Sequence, residues 1–153
     1  MFYLFPTLGL LLVVCFTDLR YRKIPNVVLV IGATYGLIVS FLGIGQVGIS
    51  DALLGFLVGL LVFVFPYYKA WIGAGDVKLM AVLGIYLGPS LTMTAAVYSM
   101  LAGGILALIY SVQPAQFKKL LGNLSEFKTG NQQMPYACAI FLGTCLAILI
   151  SQE

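Results

Sequence analysis

The sequence contains no histidine, and this absence removes several catalytic designs. Ser–His and Cys–His pairs, in which an imidazole activates the nucleophile, cannot be built from this chain. Cys15, Cys138 and Cys145 are odd in number, lie inside apolar runs and form no CxxC pair. Without histidine ligands beside them, these cysteines predict neither a zinc site nor a disulfide framework. We therefore expect neither a metal nor a cofactor.

Charged residues are also scarce. They make up 8% of the chain, whereas soluble domains contain about 25%. Apolar residues reach 61%, above the roughly 45 to 50% of a soluble domain. The net charge is only +3, and the basic residues are scattered over short segments, which argues against nucleic-acid binding. The composition predicts a membrane protein that has the lipid bilayer as a partner.

The apolar residues form long continuous runs without the alternating pattern of a membrane β-barrel, so helices are expected. The expected fold is all-α, a polytopic membrane helical bundle of about six transmembrane helices in a single domain, residues 1–153. The fourth span is too short for a hydrocarbon core of about 30 Å, so we expect local thinning, a longer helix or shelter among neighbours. The six predicted spans are Phe2–Thr17, Val27–Gly45, Asp51–Tyr68, Val77–Leu87, Ser90–Ser111 and Pro135–Ser151.

The basic residues predict the orientation. They fall after the first span, around the start of the fourth and after the fifth, so a six-span arrangement puts all of them on one face. The positive-inside rule makes that face cytoplasmic and places both termini outside. The expected location is the inner (cytoplasmic) membrane. The basic residues are Arg20, Arg22, Lys23, Lys69, Lys78, Lys118, Lys119 and Lys128.

Small residues and one amphipathic segment complete the predicted bundle. Glycines spaced four apart let helix backbones approach closely in lipid, and we interpret them as packing contacts rather than as a substrate groove. The segment from Gln113 to Gln133 has apolar and polar residues at helical spacing, which predicts an amphipathic helix at the membrane surface. This helix either anchors the chain at the membrane surface or gates or grips the substrate. The glycine pairs are Gly32 and Gly36, Gly55 and Gly59, and Gly84 and Gly88.

Only two of the five carboxylates lie in unusual local sequence, namely Asp18 and Asp76. Two arginines follow Asp18, so an interfacial ion pair is the alternative explanation there. Asp76 follows Gly73-Ala74-Gly75 at a helix start, where a simple helix cap is the alternative, with Lys78 only reaching the interface. The other three are explained as a helix cap, a surface residue and a chain end: Asp51, Glu126 and Glu153.

Two carboxylates at one end of a bundle suit the activation of water for attack on a peptide bond. The ionised partner takes a proton from water, while the protonated partner polarises the carbonyl and later protonates the leaving amine. A helix dipole favours negative charge at the N-terminus and disfavours it at the C-terminus. Asp76 is therefore expected to be the general base and Asp18 the protonated partner. Arg20 and Lys78 each stabilise a negative charge nearby, which works against the difference that the helix dipoles create between the two carboxylates.

Three segments resemble the type IV prepilin leader peptidase family, whose members are membrane aspartic proteases with a Gly-x-Gly-Asp motif. The segments are Asp18 with Lys23–Asn26, Gly73–Leu79, and Met134–Ala137 with Ala139. The resemblance covers essentially the whole chain in order and spacing, and the second segment is the most specific. It implies Asp18 and Asp76 as the catalytic residues. The substrate-binding or supporting residues that it implies are Gly73, Gly75, Lys78, Pro25, Asn26, Pro135 and Tyr136.

The resemblance implies a hydrolase that cleaves the basic leader of prepilins or pseudopilins after a glycine, at the cytoplasmic membrane boundary, for pilus or secretion-system assembly. Larger members add an N-terminal region with paired cysteines and an N-methyltransferase activity. The first span begins at Phe2 and CxxC pairs are absent, so no methyltransferase region is expected. The short form resembles the peptidases of tight-adherence (Flp-type) pili, although archaellin and archaeal pilin peptidases share the same core. Many relatives have glycine where this chain has Ala137, which bears on substrate fit. A homodimer stays open.

Two other functions compete with the peptidase. A small ion-coupled membrane carrier would also use carboxylates inside a membrane protein. Against it, both unusual carboxylates are predicted at one cytoplasmic edge, and no line of polar residues crosses the middle of the bilayer. A catalytically silent partner in pilus assembly would be expected to lack one carboxylate, and both are present.

Overall fold

The computed structural model describes residues 4–21, 24–44, 47–112 and 136–151. Within these ranges every regular element is an α-helix, which confirms the all-α fold class. The predicted amphipathic helix at 113–133 and Pro135 lie outside the described residues. The helices are α1 (Leu4–Tyr21), α2 (Asn26–Phe41), α3 (Ile49–Tyr68), α4 (Ala74–Val112) and α5 (Tyr136–Ile150).

The fourth helix contains two of the predicted spans. A straight helix of 39 residues would be roughly 60 Å long, about twice the hydrocarbon thickness of a bilayer. Gly88 interrupts the helical geometry with φ 73° and ψ 175°, and Pro89, which has no backbone N–H, follows it. The two arms of α4, residues 74–87 and 89–112, correspond to the fourth and fifth predicted spans. The described residues therefore form five helical elements rather than six, because the two spans join directly at Gly88.

Backbone contacts show that the chain reverses at Gly88. Gly55 in α3 lies against Gly84 and Gly59 against Met80, so α3 runs antiparallel to the first arm of α4. The second arm pairs with α5, where Ser99 lies against Gly143 and Gly103 against Tyr136. Tyr136 also contacts Phe63 near the end of α3, with ring centroids 6.3 Å apart. The second arm has thus returned to the end of the bundle from which the first arm started.

The first two helices continue the same alternation. Along α2, Asn26 bonds Lys78 and Gly36 packs on Tyr86, so α2 runs parallel to the first arm of α4. Along α1, Cys15 lies beside Cys138 and Asp18 beside Ala137, so α1 runs antiparallel to α5. Successive segments alternate in direction through the described chain. The carboxylates Asp18 and Asp76 therefore lie at one end of the bundle, and Asp51 lies near Gly88 at the other.

The first arm of α4 forms the centre of the bundle. Every residue from Leu79 to Gly88 is buried, with α3 on one side and α2 on another. The arm begins at Ala74 rather than at the predicted Val77. Two of the three explanations offered for the short fourth span, a longer helix and shelter among its neighbours, are observed. Gly55, Gly59 and Gly84 pack against helix backbone as predicted. Gly32 and Gly36 instead face the side chains of Leu10 and Tyr86, and the hydroxyl of Tyr86 donates to the carbonyl of Gly32. Gly88, predicted to pair with Gly84, forms the break in α4.

The outer surface of the bundle is apolar. Two stretches of the described chain, Ile49–Tyr68 and Ala74–Leu108, are long and apolar enough to cross a membrane, and α2 and α5 are shorter apolar helices. Large apolar side chains such as Leu61, Leu108 and Leu149 are exposed on the surface of the bundle. A face of this kind is stable in contact with lipid rather than water.

Replacing Gly55 with alanine tests the contact between α3 and α4. The new Cβ would collide with the backbone carbonyl of Gly84, which cannot move without displacing a helix. We expect Gly55→Ala to lower stability by about 1 to 3 kcal/mol, as overpacking does. Gly9→Ala is the matched control, because nothing lies within 4 Å of its Cβ position and alanine favours a helix. Thermal unfolding in one detergent measures both, and a Gly55→Ala melting temperature at or above wild type would refute the contact.

Candidate active site

Asp76 is the third residue of α4, and its carboxylate closes the start of that helix. The backbone N–H of Gly73, the residue before the helix, donates to Asp76 Oδ2 at 3.1 Å. The Gly73 carbonyl in turn accepts the backbone N–H of Asp76 at 3.1 Å. The first bond resembles the half of a capping box in which an acidic residue bonds back to the N-cap. The helix cap that the sequence offered as an alternative is thus present, and it holds the carboxylate in place.

The two glycines of the motif provide space on either side of Asp76. A Cβ on Gly73 would lie 3.2 Å from Asp76 Oδ2, in the position that the bonded carboxylate needs. A Cβ on Gly75 would lie 3.2 Å from Cβ of Ile24, because the segment before α2 packs directly on this glycine. The Gly-x-Gly spacing therefore serves close approach by a side chain at one glycine and by a neighbouring segment at the other.

Asp18 belongs to α1, but its carboxylate bonds the start of α5. It lies in the last turn of α1, which continues to Tyr21 rather than ending at the predicted Thr17. Its Oδ2 accepts the backbone N–H of Ala137, the second residue of α5, at 3.2 Å. The first amides of a helix have no partner within it, so Asp18 satisfies one that α5 cannot. The bond joins positions 119 residues apart.

The two carboxylates form a buried pair. Asp18 is 8% exposed and Asp76 is 7% exposed, and the two interact electrostatically. The expected division of roles relied on Asp18 lying only at the C-terminal end of a helix. Because Asp18 also lies at the N-terminus of α5, a helix dipole favours negative charge at both positions. The C-terminal dipole of α1 still opposes a negative charge on Asp18, so the dipole difference in favour of Asp76 as the general base is reduced, and that assignment stays a prediction.

The segment before α2 is tied to the α4 motif. Lys78 Nζ donates to Asn26 Oδ1 at 3.1 Å. Pro25 precedes α2, and its carbonyl accepts the backbone N–H of Val28 at 3.1 Å. The structure thus brings Pro25, Asn26 and Lys78 to the same end of the bundle as the carboxylates. From the sequence, Lys78 could simply extend to the membrane interface. In the structure its ammonium group has a defined hydrogen-bond partner, Asn26.

Tyr136 stands at the start of α5, one residue before the amide that holds Asp18. Its ring packs on Gly103 and edge-on against Phe63, with an interplanar angle of 70°. Its hydroxyl lies 3.4 Å from the carbonyl of Ser99. Phe63, Ser99 and Gly103 were not predicted from the sequence. Ser99 and Gly103 are four residues apart, so the small-residue spacing that singled out the glycine pairs would have found them had serine been included.

All the predicted site residues that the structure describes lie at this end of the bundle. They comprise the catalytic candidates and six of the seven supporting residues; Pro135 lies outside the described part of the chain. Asp51 is separate, beside the Gly88 turn. It lies in the first turn of α3, whose N-cap is Gly48, so the interpretation of Asp51 as the cap residue was wrong. The described residues are Asp18, Pro25, Asn26, Gly73, Gly75, Asp76, Lys78 and Tyr136.

Comparison with known families agrees with this arrangement. The sequence profile of the type IV leader peptidase family matches residues 5–108, a range that contains both carboxylates and the glycine motif. The chain belongs to the type IV leader peptidase family. The resemblance inferred from three short segments is thereby confirmed.

A curated relative extends the comparison. The chain is 31% identical over 152 residues to the prepilin leader peptidase/N-methyltransferase of Bacillus subtilis (strain 168), an alignment that covers 95% of this chain and 56% of the relative. The chain therefore spans a little over half the length of that leader peptidase. No solved structure matches the chain.

Gly103 offers a test of how α5 is positioned. Gly103→Ala would place a methyl group inside the ring of Tyr136 and displace the residue next to the Asp18-binding amide. A misplacement of about 1 Å can cost a catalytic site up to about 100-fold in rate, so we expect peptidase activity to fall at least about tenfold. Gly104→Ala is the matched control, because nothing lies within 4 Å of its Cβ position. Equal cleavage rates for the two variants would exclude this positioning role.

Proposed function

We propose that this protein is a membrane aspartic endopeptidase that removes the basic leader of prepilins or pseudopilins for pilus or secretion-system assembly. Cleavage follows a glycine at the cytoplasmic membrane boundary. The observation that carries the proposal is the meeting of Asp18 and Asp76, which come from different helices and each bind a helix-terminal amide. Membership in a leader peptidase family supplies the substrate class. The N-methyltransferase activity in the relative's name is not included in the proposal.

In the proposed mechanism, the buried carboxylates share the work of water activation. One carboxylate is ionised and removes a proton from the attacking water, and the other is protonated and donates to the scissile carbonyl. Their proximity favours this unequal state, because two negative charges held close together in a buried site repel each other. A proton then passes from the carboxyl pair to the leaving amine as the peptide bond breaks. The amides of Gly73 and Ala137 hold the two side chains in place during these steps.

The proposed membrane arrangement has six crossings, with residues 1–153 as one transmembrane peptidase domain and both termini outside. The alternation of helix directions and the apolar surface support it. Of the basic residues described, Arg20, Lys69 and Lys78 all belong to the carboxylate end of the bundle, which the positive-inside rule makes cytoplasmic. A basic leader in the cytoplasm would then meet the site at the inner face of the inner membrane.

The supporting residues are proposed to hold the site rather than to react. Gly73 and Gly75 give Asp76 its space, and the Lys78–Asn26 bond fastens the start of α2 to the start of α4. A substrate segment that passes this end of the bundle would meet Tyr136 beside both carboxylates. The competing carrier function has less support, because the described carboxylates lie only at the two ends of the bundle and not along a path between them.

Asparagine substitutions test the catalytic pair. Asp18→Asn and Asp76→Asn each keep an oxygen that can accept the helix amide but remove the ability to exchange a proton. We expect each variant to insert and fold while leader cleavage is lost, by a factor on the order of 10³ or more. Asp51→Asn, at the opposite end, should cleave at the wild-type rate. Co-expression with candidate prepilins, read as a mobility shift, measures all three, and an excess of chelator should leave wild-type cleavage unchanged.

Full cleavage by either site variant would rule out the aspartic mechanism. Loss of cleavage in Asp51→Asn as well would show that the assay responds to any lost carboxylate and not to this pair. Alanine at positions 18 and 76 should also abolish cleavage.

Reporter tags test the membrane arrangement. Tags at positions 22, 70 and 122 should report the cytoplasm, and tags at position 47 and the C-terminus should report the outside face, because the basic segments stay inside. Cysteine accessibility to an impermeant maleimide in intact cells provides the measurement. A cytoplasmic C-terminus would contradict six crossings and the proposed position of α5 beside Asp18.

A further inference from the structure

Two thiols meet across the seam between α1 and α5. Cys15 Sγ lies 3.0 Å from Cys138 Sγ, so the side chains already share a hydrogen bond although they are 123 positions apart. A disulfide needs about 2.05 Å between its sulfur atoms, so a small movement of about 1 Å would allow the bond. Cys145, also in α5, has no such neighbour among the interactions described, and all three cysteines are free thiols in this structure.

The thiol pair is adjacent to the catalytic candidate Asp18. Cys15 lies one turn before Asp18 on α1, and therefore on the same side of that helix. Cys138 follows Ala137, whose N–H the Asp18 carboxylate accepts. A covalent bond between the two sulfurs would consequently fix the same two helices that the Asp18–Ala137 hydrogen bond connects.

The seam is a weakly packed part of the bundle. α1 makes few contacts with the other helices, whereas the two arms of α4 pack extensively on α3 and α5. The carboxylates are 8% and 7% exposed, so a peptide bond can reach them only if part of the bundle opens. Among the described helices, α1 is the one that can move with the smallest loss of buried contact.

We propose that Cys15 and Cys138 form a reversible disulfide that locks α1 to α5 and closes access to the site. The two thiols lose two protons and two electrons as the sulfur–sulfur bond forms. A lipid-soluble quinone accepts both electrons and both protons and becomes the quinol. Both cysteines are partly exposed on the bundle, so an oxidant dissolved in the membrane can reach them. A dithiol reductant reverses the reaction by thiol–disulfide exchange.

The test uses the whole protein reconstituted in lipid nanodiscs, reduced and then treated with decylubiquinone. This quinone has a fully substituted ring and so does not alkylate thiols. After denaturation, N-ethylmaleimide adducts are counted by intact mass. The reduced chain has three free cysteines, and we expect the oxidised chain to retain only one reactive thiol. Cys145→Ser is the matched control and should lose both of its remaining thiols on oxidation, whereas Cys15→Ser and Cys138→Ser should each keep two.

The effect on cleavage rests on the proposed function and is measured separately. Oxidised wild type should cleave a prepilin at least about tenfold more slowly than the reduced form, with recovery in dithiothreitol. Cys15→Ser and Cys138→Ser should cleave at the wild-type rate, and treatment with the quinone should not change that rate. Persistence of three adducts, loss of two adducts in either single-serine variant, or equal rates before and after oxidation would overturn the proposal. If reduced wild type cleaves no prepilin, the proposed function fails while the adduct count still decides whether the disulfide forms.

Discussion

The structure depends on the hydrogen bonds that two carboxylates make to the first amides of helices. In an apolar surrounding, a helix start without a partner is costly, because no water is available to replace the missing bond. Asp76 satisfies this need within its own turn, and Asp18 does so for a helix more than a hundred residues away. The side chains assigned to the chemistry therefore also close α4 and α5. Folding and the proposed catalysis use the same two groups, which links the stability of this end of the bundle to its proposed activity.

Close packing at small residues provides the rest of the geometry. Where Gly55 meets Gly84, and where Gly143 meets Ser99, helix backbones approach until no side-chain atom fits between them. Lipid gives helices no hydrophobic reason to associate, so this dense contact supplies the attraction. It also sets the heights at which residues of neighbouring helices meet. Because the contact with Gly55 fixes the position of Gly84, it also fixes the position of Asp76, which precedes Gly84 on the same helix.

Features encoded within a few residues were predictable. Apolar run length indicated helices, and the glycines beside Asp76 pointed to a close approach that the structure confirms. One error also has a local cause: the start of α4 was placed at Val77 because the cap formed by Asp76 was treated as an alternative to function. The predicted separation of the fourth and fifth spans is confirmed by the break at Gly88. The contact of Asp18 with Ala137 has no local signal, since only the folded bundle brings these positions together. The assignment of Asp76 as the general base was made without this contact and stays a prediction.

The Asp18–Ala137 bond also has a consequence for the order of biosynthesis. Asp18 precedes Ala137 by 119 positions, so it leaves the ribosome well before its partner. Until α5 has entered the membrane, the carboxylate lacks the amide that orients it, and Tyr136 is missing from the site. A partly inserted chain therefore contains both aspartates but not their working arrangement. Under the proposed function, leader cleavage therefore begins only after α5 has packed beside α1.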